Sequence, residues 1–430
     1  MPIKVLYIDG DGPFGGASRS LFEAVRALPE GSVEPYFVAS RGTALDFYAQ
    51  VAKELVSTRG MTKFDNTRYS HYKGVRWLIL LRELFHFPFA VAVLLKARRQ
   101  WKHVDLIHVN EAVYIVPALL AKRLFRAPLV VHVRSLANMD SRSLRTRWLN
   151  ATLARQADAV VAINQNTRAT LPVELPVDVI HNSFTAKRAL KPDPHIVRRL
   201  DALRPGSLKV GFVGNLHHSK GLFDMLAAAR LILEAGRDVE FLIVGGVTMQ
   251  DKGLKAWALA RAGLAQNVQA ELAARVAGDG LSHCFHLLGA TLDIKCVYDR
   301  LDVLLFPSHY DAPGRPVFEA AFSSVPCIVS VDKPHADTLV HGETGLAIPA
   351  RNPQKLAEAI LYFADNPGEV KRMGANALRL ANANFDPATN ARKLLEVYTR
   401  VVQTSAKTGQ TGKTGQTGHL HKPGPHTSQP

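Results

Sequence analysis

The sequence predicts an α/β protein made of two doubly wound domains that face each other across a cleft. Three observations point there. The chain has 430 residues, a length that suits two domains better than one hydrophobic core. Short runs rich in Val and Ile, bounded by turns, alternate with helical stretches, as in parallel sheets covered on both faces. This alternation occurs twice, on either side of a charged, proline-bearing stretch at 185–205 that is poor in strand signals.

In order, the first half offers strands at 3–9 (IKVLYID), 35–40 (PYFVAS), 105–110 (DLIHVN), 128–135 (PLVVHVRS) and 159–164 (AVVAIN). Helical runs at 18–28, 113–125 and 144–156 fall between them. The second half offers strands at 208–214, 240–246, 286–289, 302–308, 326–331 and 345–349. Each set makes one Rossmann-like domain, with ligands expected at the carboxyl ends of the strands and in the cleft between the sheets. From 404 the chain becomes a TGQ/TGK repeat whose apolar residues are Ala406 and Leu420, so the tail 404–430 is expected to be disordered. Its His419, His421 and His426 are weak candidates for a metal.

Composition is ordinary for a globular chain, 47% hydrophobic and 21% charged. The most apolar stretch, 75–95, is interrupted by Arg76, Arg82, Glu83, His86 and Pro88, so no membrane span is expected. The N-terminus enters a strand directly, without the pattern of a secretory signal. Cys284, Cys296 and Cys327 lack paired spacing and read as reduced thiols, so the expected location is cytoplasmic. The net charge is +16, and residues 1–185 hold 24 Lys and Arg against 15 Asp and Glu. That balance favours an anionic partner or is simply a basic surface. Nucleic acid would rest on charge alone and is not expected. The basic, aromatic and apolar segment 69–95 is either an ordinary amphipathic helix or one that lies on an anionic membrane surface.

After the first strand, Gly10, Gly12 and Gly15 match G-x-G-x-x-G. Pro13 interrupts the turn, and the second strand ends in Ser40-Arg41 rather than an acid, which leaves a dinucleotide only an NADP reading through Arg41. The alternative is a glycine loop that lets backbone N–H groups approach a phosphate or sugar, or a tight turn with no ligand. Ser20 and Glu23 have capping-box spacing, which starts the helix near Ala17 or Ser18. Asp9 and Asp11 mimic a D-x-D metal pair without a third ligand in reach, so no metal is expected.

In the second half, Gly214, Asn215 and Lys220 lie in a loop that leads into a helix. A cation at that junction suits a diphosphate, though the spacing is not that of a P-loop. Further on, Asp311 and Glu319 stand eight positions apart around Pro313-Gly314-Arg315-Pro316. Pro316 suits the first turn of a helix, which puts Glu319 about one turn inside it and Asp311 in the loop before.

Taken together, these segments resemble the retaining glycosyltransferases of the GT-B fold, the "group 1" family, over roughly residues 3–400. The resemblance implies an acceptor-binding domain at 1–184 and a nucleotide-sugar-binding domain at 185–387. A helix at 388–403 would return to the first domain. It implies that Lys220 holds the donor diphosphate, that Asp311 meets hydroxyls of the transferred sugar and that Glu319 meets the ribose. The loop residues Gly214 and Asn215 and the backbone N–H groups of Gly314, Arg315 and Val317 would also serve the donor, faced by Gly16 from the other domain. Three departures stand out. Asn215 replaces an Arg, and Arg315 is the first place to look for the missing charge. Asp311 replaces a Glu. A family His falls at Arg134, with His132 two positions earlier, and either residue is a candidate for the site. The expected activity is metal-independent, retaining transfer from a UDP- or GDP-sugar, which is a substrate and not a cofactor. The expected acceptor is a cell-surface glycan or lipid-linked saccharide, with the inner face of the membrane as a candidate location. The alternatives are a relative that binds nucleotide sugar or glycan without turnover, and a sugar-nucleotide epimerase.

Overall fold

The structure, a computed structural model, describes residues 1–69, 79–185, 193–246, 268–291 and 293–414. The first half forms a sheet from β1 (Ile3–Asp9), β2 (Val33–Ser40), β3 (Glu54–Thr58), β4 (Leu106–Val109), β5 (Leu129–Val133), β6 (Ala159–Ala162) and β7 (Asp178–Val179). The second half forms another from β8 (Leu208–Val213), β9 (Val239–Val244), β10 (Phe285–Gly289), β11 (Val303–Phe306), β12 (Cys327–Ser330) and β13 (Gly345–Ile348). The strand orders are β3-β2-β1-β4-β5-β6-β7 and β10-β9-β8-β11-β12-β13. Every pairing of these strands is parallel. This is the predicted architecture of two doubly wound sheets.

Burial on both faces explains why the strands read as unbroken apolar runs. In the first sheet Leu6, Ile8, Val109 and Val131 pack on one face, and their neighbours Val5, Tyr7, Leu106 and Val130 pack on the other. The second sheet divides in the same way, with Val210, Phe212 and Leu305 opposite Val213, Leu242 and Leu304.

The order reverses between β1 and β4 and again between β8 and β11. Loops leaving such neighbours diverge to opposite faces and open a crevice at their carboxyl ends. Those loops carry most of the residues singled out above.

The last helix, Pro387–Thr414, packs Leu394, Val397, Tyr398 and Val401 into the same cluster as Val5, Tyr7 and Leu21 of the first domain. It continues past 403, where the tail was expected to lose structure. Residues 403–407 are exposed, and extending an existing helix adds one backbone bond per residue without a new nucleus. Residues 415–430, including the three tail histidines, lie outside the described residues, as do 186–192 of the linker and 70–78 of the basic apolar segment. The rest of that segment belongs to the helix Ile79–Gln100. It buries Ala90, Val93, Leu94 and Ala97 in the first core and exposes Leu81, Leu84 and Phe85 by 62–63%. Among the described residues no helix is long and apolar enough to cross a membrane.

Candidate active site

The glycines after β1 serve the packing of the chain. A Cβ on Gly10 would lie 2.0 Å from the Tyr114 ring, and one on Gly12 would lie 2.4 Å from the Arg41 carbonyl oxygen. The helix that follows is Gly16–Ala27, capped by Gly15 with no side-chain bond. The expected capping box is therefore wrong. Ser20 and Glu23 both sit inside the helix, where the Ser20 hydroxyl donates to the Gly16 carbonyl (2.8 Å). The Glu23 carboxylate reaches across the cleft to Arg315 (2.8 Å). The two acids of the D-x-D mimic are occupied within the fold. Asp9 accepts from Ser18 Oγ (2.7 Å) and from the Tyr48 hydroxyl. Asp11 accepts from Lys63 Nζ (2.8 Å) and the Tyr114 hydroxyl (2.6 Å).

The wall beyond β4 and β5 is polar. Arg134 stands just past β5 and donates from Nε to the carbonyl (3.0 Å) and Oδ1 (2.7 Å) of Asn110. Its Nη1 donates to Asn182 Oδ1 (2.7 Å). Burial lowers its pKa to about 10 against the opposing pull of Glu111. His132, inside β5, is buried behind it, with Nδ1 3.3 Å from both Arg134 Nη2 and His108 Nε2. His108 Nδ1 in turn meets the Tyr398 hydroxyl (2.6 Å), so the last helix closes this buried chain. Glu111 follows β4. It accepts from the Ala112 N–H (2.9 Å), the Arg134 N–H (3.3 Å) and Ser135 Oγ (2.9 Å), yet burial raises its pKa to about 7.

The donor-side loops are locked to one another by close backbone approach. Gly221 has φ +73°, and a Cβ there would lie 2.0 Å from the Pro307 carbonyl oxygen. The His309 N–H donates to the Ser219 carbonyl (2.9 Å). Gly214 has φ +153°, and its carbonyl oxygen lies where a Cβ on Gly245 would fall. Lys220 precedes the helix Leu222–Glu234. It has no carboxylate partner among the described residues. Its Nζ lies 5.0 Å from the centre of the Tyr310 ring and 5.6 Å from that of Phe306, and burial lowers its pKa. Asn215 is exposed.

Asp311 takes the left-handed conformation at φ +47°, a strained setting for a residue other than glycine. It accepts from the Asp332 N–H (2.9 Å) and pairs with Arg68 of the first domain (3.2 Å). Gly314 presses on the Phe306 ring, where a Cβ would come within 2.4 Å. It caps the helix Arg315–Ala321. Val317 N–H already donates to the Gly314 carbonyl (3.1 Å), so it is not available to a donor as expected. Glu319 is buried and accepts from the Tyr298 hydroxyl (2.9 Å) and Arg315 Nε (3.1 Å). Arg315 also donates to Ser20 Oγ (2.7 Å). Burial works against its charge, but Glu319 and Glu23 outweigh that and raise its pKa. The cation expected to replace the missing Arg at 215 is thus already held by two carboxylates.

A cavity of about 240 Å³ lies between the domains, lined by Gly16, Glu111, Arg134 and Asn182 on one wall and Gly314, Arg315 and Val317 on the other. Lys220, Asp311, Glu319, Gly214, Asn215 and His132 do not line it. Lys220 and the cavity-lining Gly314 both lie against the Phe306 ring. Sequence reasoning missed Glu111, Asn182 and Arg68, and it gave Glu23 a capping role in place of its pairing with Arg315. Of the three missed, Glu111 had a signal, its place directly after a strand at the switch point.

Two family models match the chain and together span most of it. Residues 14–188 match glycosyltransferase family 4, and residues 198–379 match glycosyl transferases group 1. The lipopolysaccharide core biosynthesis mannosyltransferase LpsB of Rhizobium meliloti (strain 1021) is 28% identical over 300 residues, covering 69% of this chain and 79% of that one. Glycogen synthase of Mycobacterium tuberculosis (strain H37Rv) is 24% identical over 316 residues, covering 70% and 69%. Among solved structures, Anabaena HepE in complex with UDP and glucose has a TM-score of 0.68 at 20% identity, covering 92% of this chain and 99% of that one. Sucrose-phosphate synthase of Thermosynechococcus elongatus gives the same TM-score at 18% identity, covering 94% and 100%. Likeness at that level establishes the GT-B fold, and the family matches go further: the chain belongs to the group 1 glycosyltransferases.

Proposed function

We propose that the protein moves a hexosyl unit from a UDP- or GDP-sugar, with retention and without a metal, onto a cell-surface glycan or lipid-linked saccharide. The observation that carries this reading is the arrangement of Lys220. A partly buried amine without an acid partner among the described residues sits at the start of a 13-residue helix, beside the switch point of the second sheet. Such a cation, backed by a helix N-terminus, is suited to a leaving diphosphate.

In the proposed step the bond from the anomeric carbon to the diphosphate oxygen breaks as the acceptor oxygen bonds on the same face. The acceptor's proton passes to the departing phosphate oxygen. Charge grows on that phosphate in the transition state, where Lys220 and the helix dipole stabilise it most. Asp311 takes a sugar hydroxyl once Arg68 gives way, and Glu319 reaches the ribose only if Arg315 releases an oxygen. Donor binding therefore breaks the Arg68–Asp311 pair that joins the domains and loosens the Arg315–Glu319 pair within the second domain. The same pairings support the second reading, a binder without turnover, since both acids are occupied without a donor.

A panel of UDP- and GDP-sugars, with product followed by proton NMR of the anomeric centre, separates the readings. Release of one nucleotide with an α-linked product from an α-linked donor is expected. Glu319→Ala should abolish it, and Glu319→Gln, which keeps the volume, should retain the fold and lose most turnover. Full activity in both variants would remove Glu319 from the site.

A further inference from the structure

The transfer chemistry above leaves Arg134 without a ligand. Among the described residues its guanidinium is held by neutral groups alone: the carbonyl and Oδ1 of Asn110, Oδ1 of Asn182, and Nδ1 of His132. A guanidinium has five N–H donors. Those contacts take one on each nitrogen, which leaves one on Nη1 and one on Nη2.

Among the described residues no carboxylate is in ion-pair contact with it. Glu111 spends its oxygens on the Ala112 N–H, the Arg134 backbone N–H and Ser135 Oγ. Asp9 spends its own on Ser18, Tyr48 and the Asp11 N–H. Across the cavity Arg315 is the opposite case, with Glu23 and Glu319 both in contact. An inward-facing cation held by amides is costly to bury without an anion. A planar fork with a donor left on each terminal nitrogen matches a carboxylate or phosphate. The cavity, about 240 Å³, falls below the roughly 300–1,000 Å³ of drug-sized sites and suits one sugar residue.

We propose that Arg134 is a specificity-determining residue that selects a saccharide bearing a carboxylate or phosphate group in the interdomain cavity. The proposal rests on the transferase reading for the saccharide's role as a substrate, but it is tested apart from it. Calorimetry on the full chain compares D-glucose, D-glucuronate, glucose 6-phosphate, UDP, UDP-glucose and UDP-glucuronate.

Glucuronate or glucose 6-phosphate is expected to bind roughly 10-fold or more tightly than glucose, the scale of a charge-assisted hydrogen bond. Which of them binds separates carboxylate from phosphate. A preference seen only as UDP-glucuronate over UDP-glucose puts the anion on the donor sugar. Arg134→Gln should lose the preference, and Arg134→Lys, which keeps the charge without the fork, should keep part of it. Lys220→Ala should keep the preference even as UDP binding weakens. Wild-type protein that binds charged and neutral sugars equally would overturn the proposal, as would Arg134→Gln protein that still discriminates. So would UDP affinity lost in Arg134→Gln with no sugar preference in the wild type, because the cation would then serve the diphosphate. Anion preference in a protein that binds no UDP would support Arg134 and count against the nucleotide-sugar reading.

Discussion

Glu111 and His108 sit one strand-end apart and respond to burial in opposite senses. Burial raises the Glu111 pKa to about 7, so the folded state holds a proton that the unfolded state releases above its ordinary value near 4.5. Its stabilising contribution is complete below about pH 4.5 and is lost as pH rises toward 7. His108 is pushed down to about 3 by burial and then by the Arg134 charge. The unfolded chain takes up that proton first, so its contribution is complete above about pH 6.5 and is lost as pH falls toward 3. Glu111→Gln should therefore gain in Tm relative to wild type as pH rises from 5 to 8. A Tm difference that stays constant over that range would count against a protonated Glu111. Neither shift is legible in the sequence, because both arise from side chains that only the fold buries. What was legible was chemical type and order: Lys220 before a helix, and Asp311 and Glu319 around a proline–glycine turn. What those groups pair with was not. Glu23 is 292 positions from Arg315, and no local pattern ties an acid in the first helix to a cation in the second domain.

At the scale of elements, strands with runs of β-branched residues were readable because both faces are buried. β3 and β7 were not, since ELVST mixes polar and apolar residues and β7 has two residues. The helix Gly16–Ala27 starts within a residue or two of the expected Ala17 or Ser18, but glycine caps it where Ser20 and Glu23 suggested a capping box. The last helix is the element with the widest reach. Leu394 is 1% exposed and packs in the first domain's core. Leu394→Ala should cost about 2–5 kcal/mol, read as a lower urea midpoint for the first domain. A change below about 0.5 kcal/mol, the scale of surface substitutions, would mean that the helix does not hold that core. The Tyr398 contact to His108 lies on the same helix face. Undocking would therefore also disturb the buried chain that ends at Arg134.

In the whole molecule, charged contacts bridge the two sheets, beside the Tyr69–Tyr310 ring pair. Arg315 joins Glu23, Arg68 joins Asp311, and Asp337 receives both the Gln165 N–H and His181 Nε2 (2.8 Å each). Interfaces of that kind open and re-pair more readily than apolar ones, which suits a cleft that must admit a donor. Leu81, Leu84 and Phe85 of the first domain face solvent on a helix that carries Arg82. Vesicles of anionic lipid should sediment the protein at low salt and release it at high salt, and Leu84→Ser with Phe85→Ser should weaken sedimentation about tenfold. Protein that stays in the supernatant at low salt would remove the membrane from the account. The central claim is that the Lys220 loop holds the donor diphosphate. Calorimetric titration of UDP and GDP into wild-type and Lys220→Ala protein tests it most directly. One nucleotide should bind the wild type, with affinity falling roughly 10-fold or more in the variant and no loss of Tm in the nucleotide-free protein. Binding of neither nucleotide, or equal binding by both proteins, would contradict the claim.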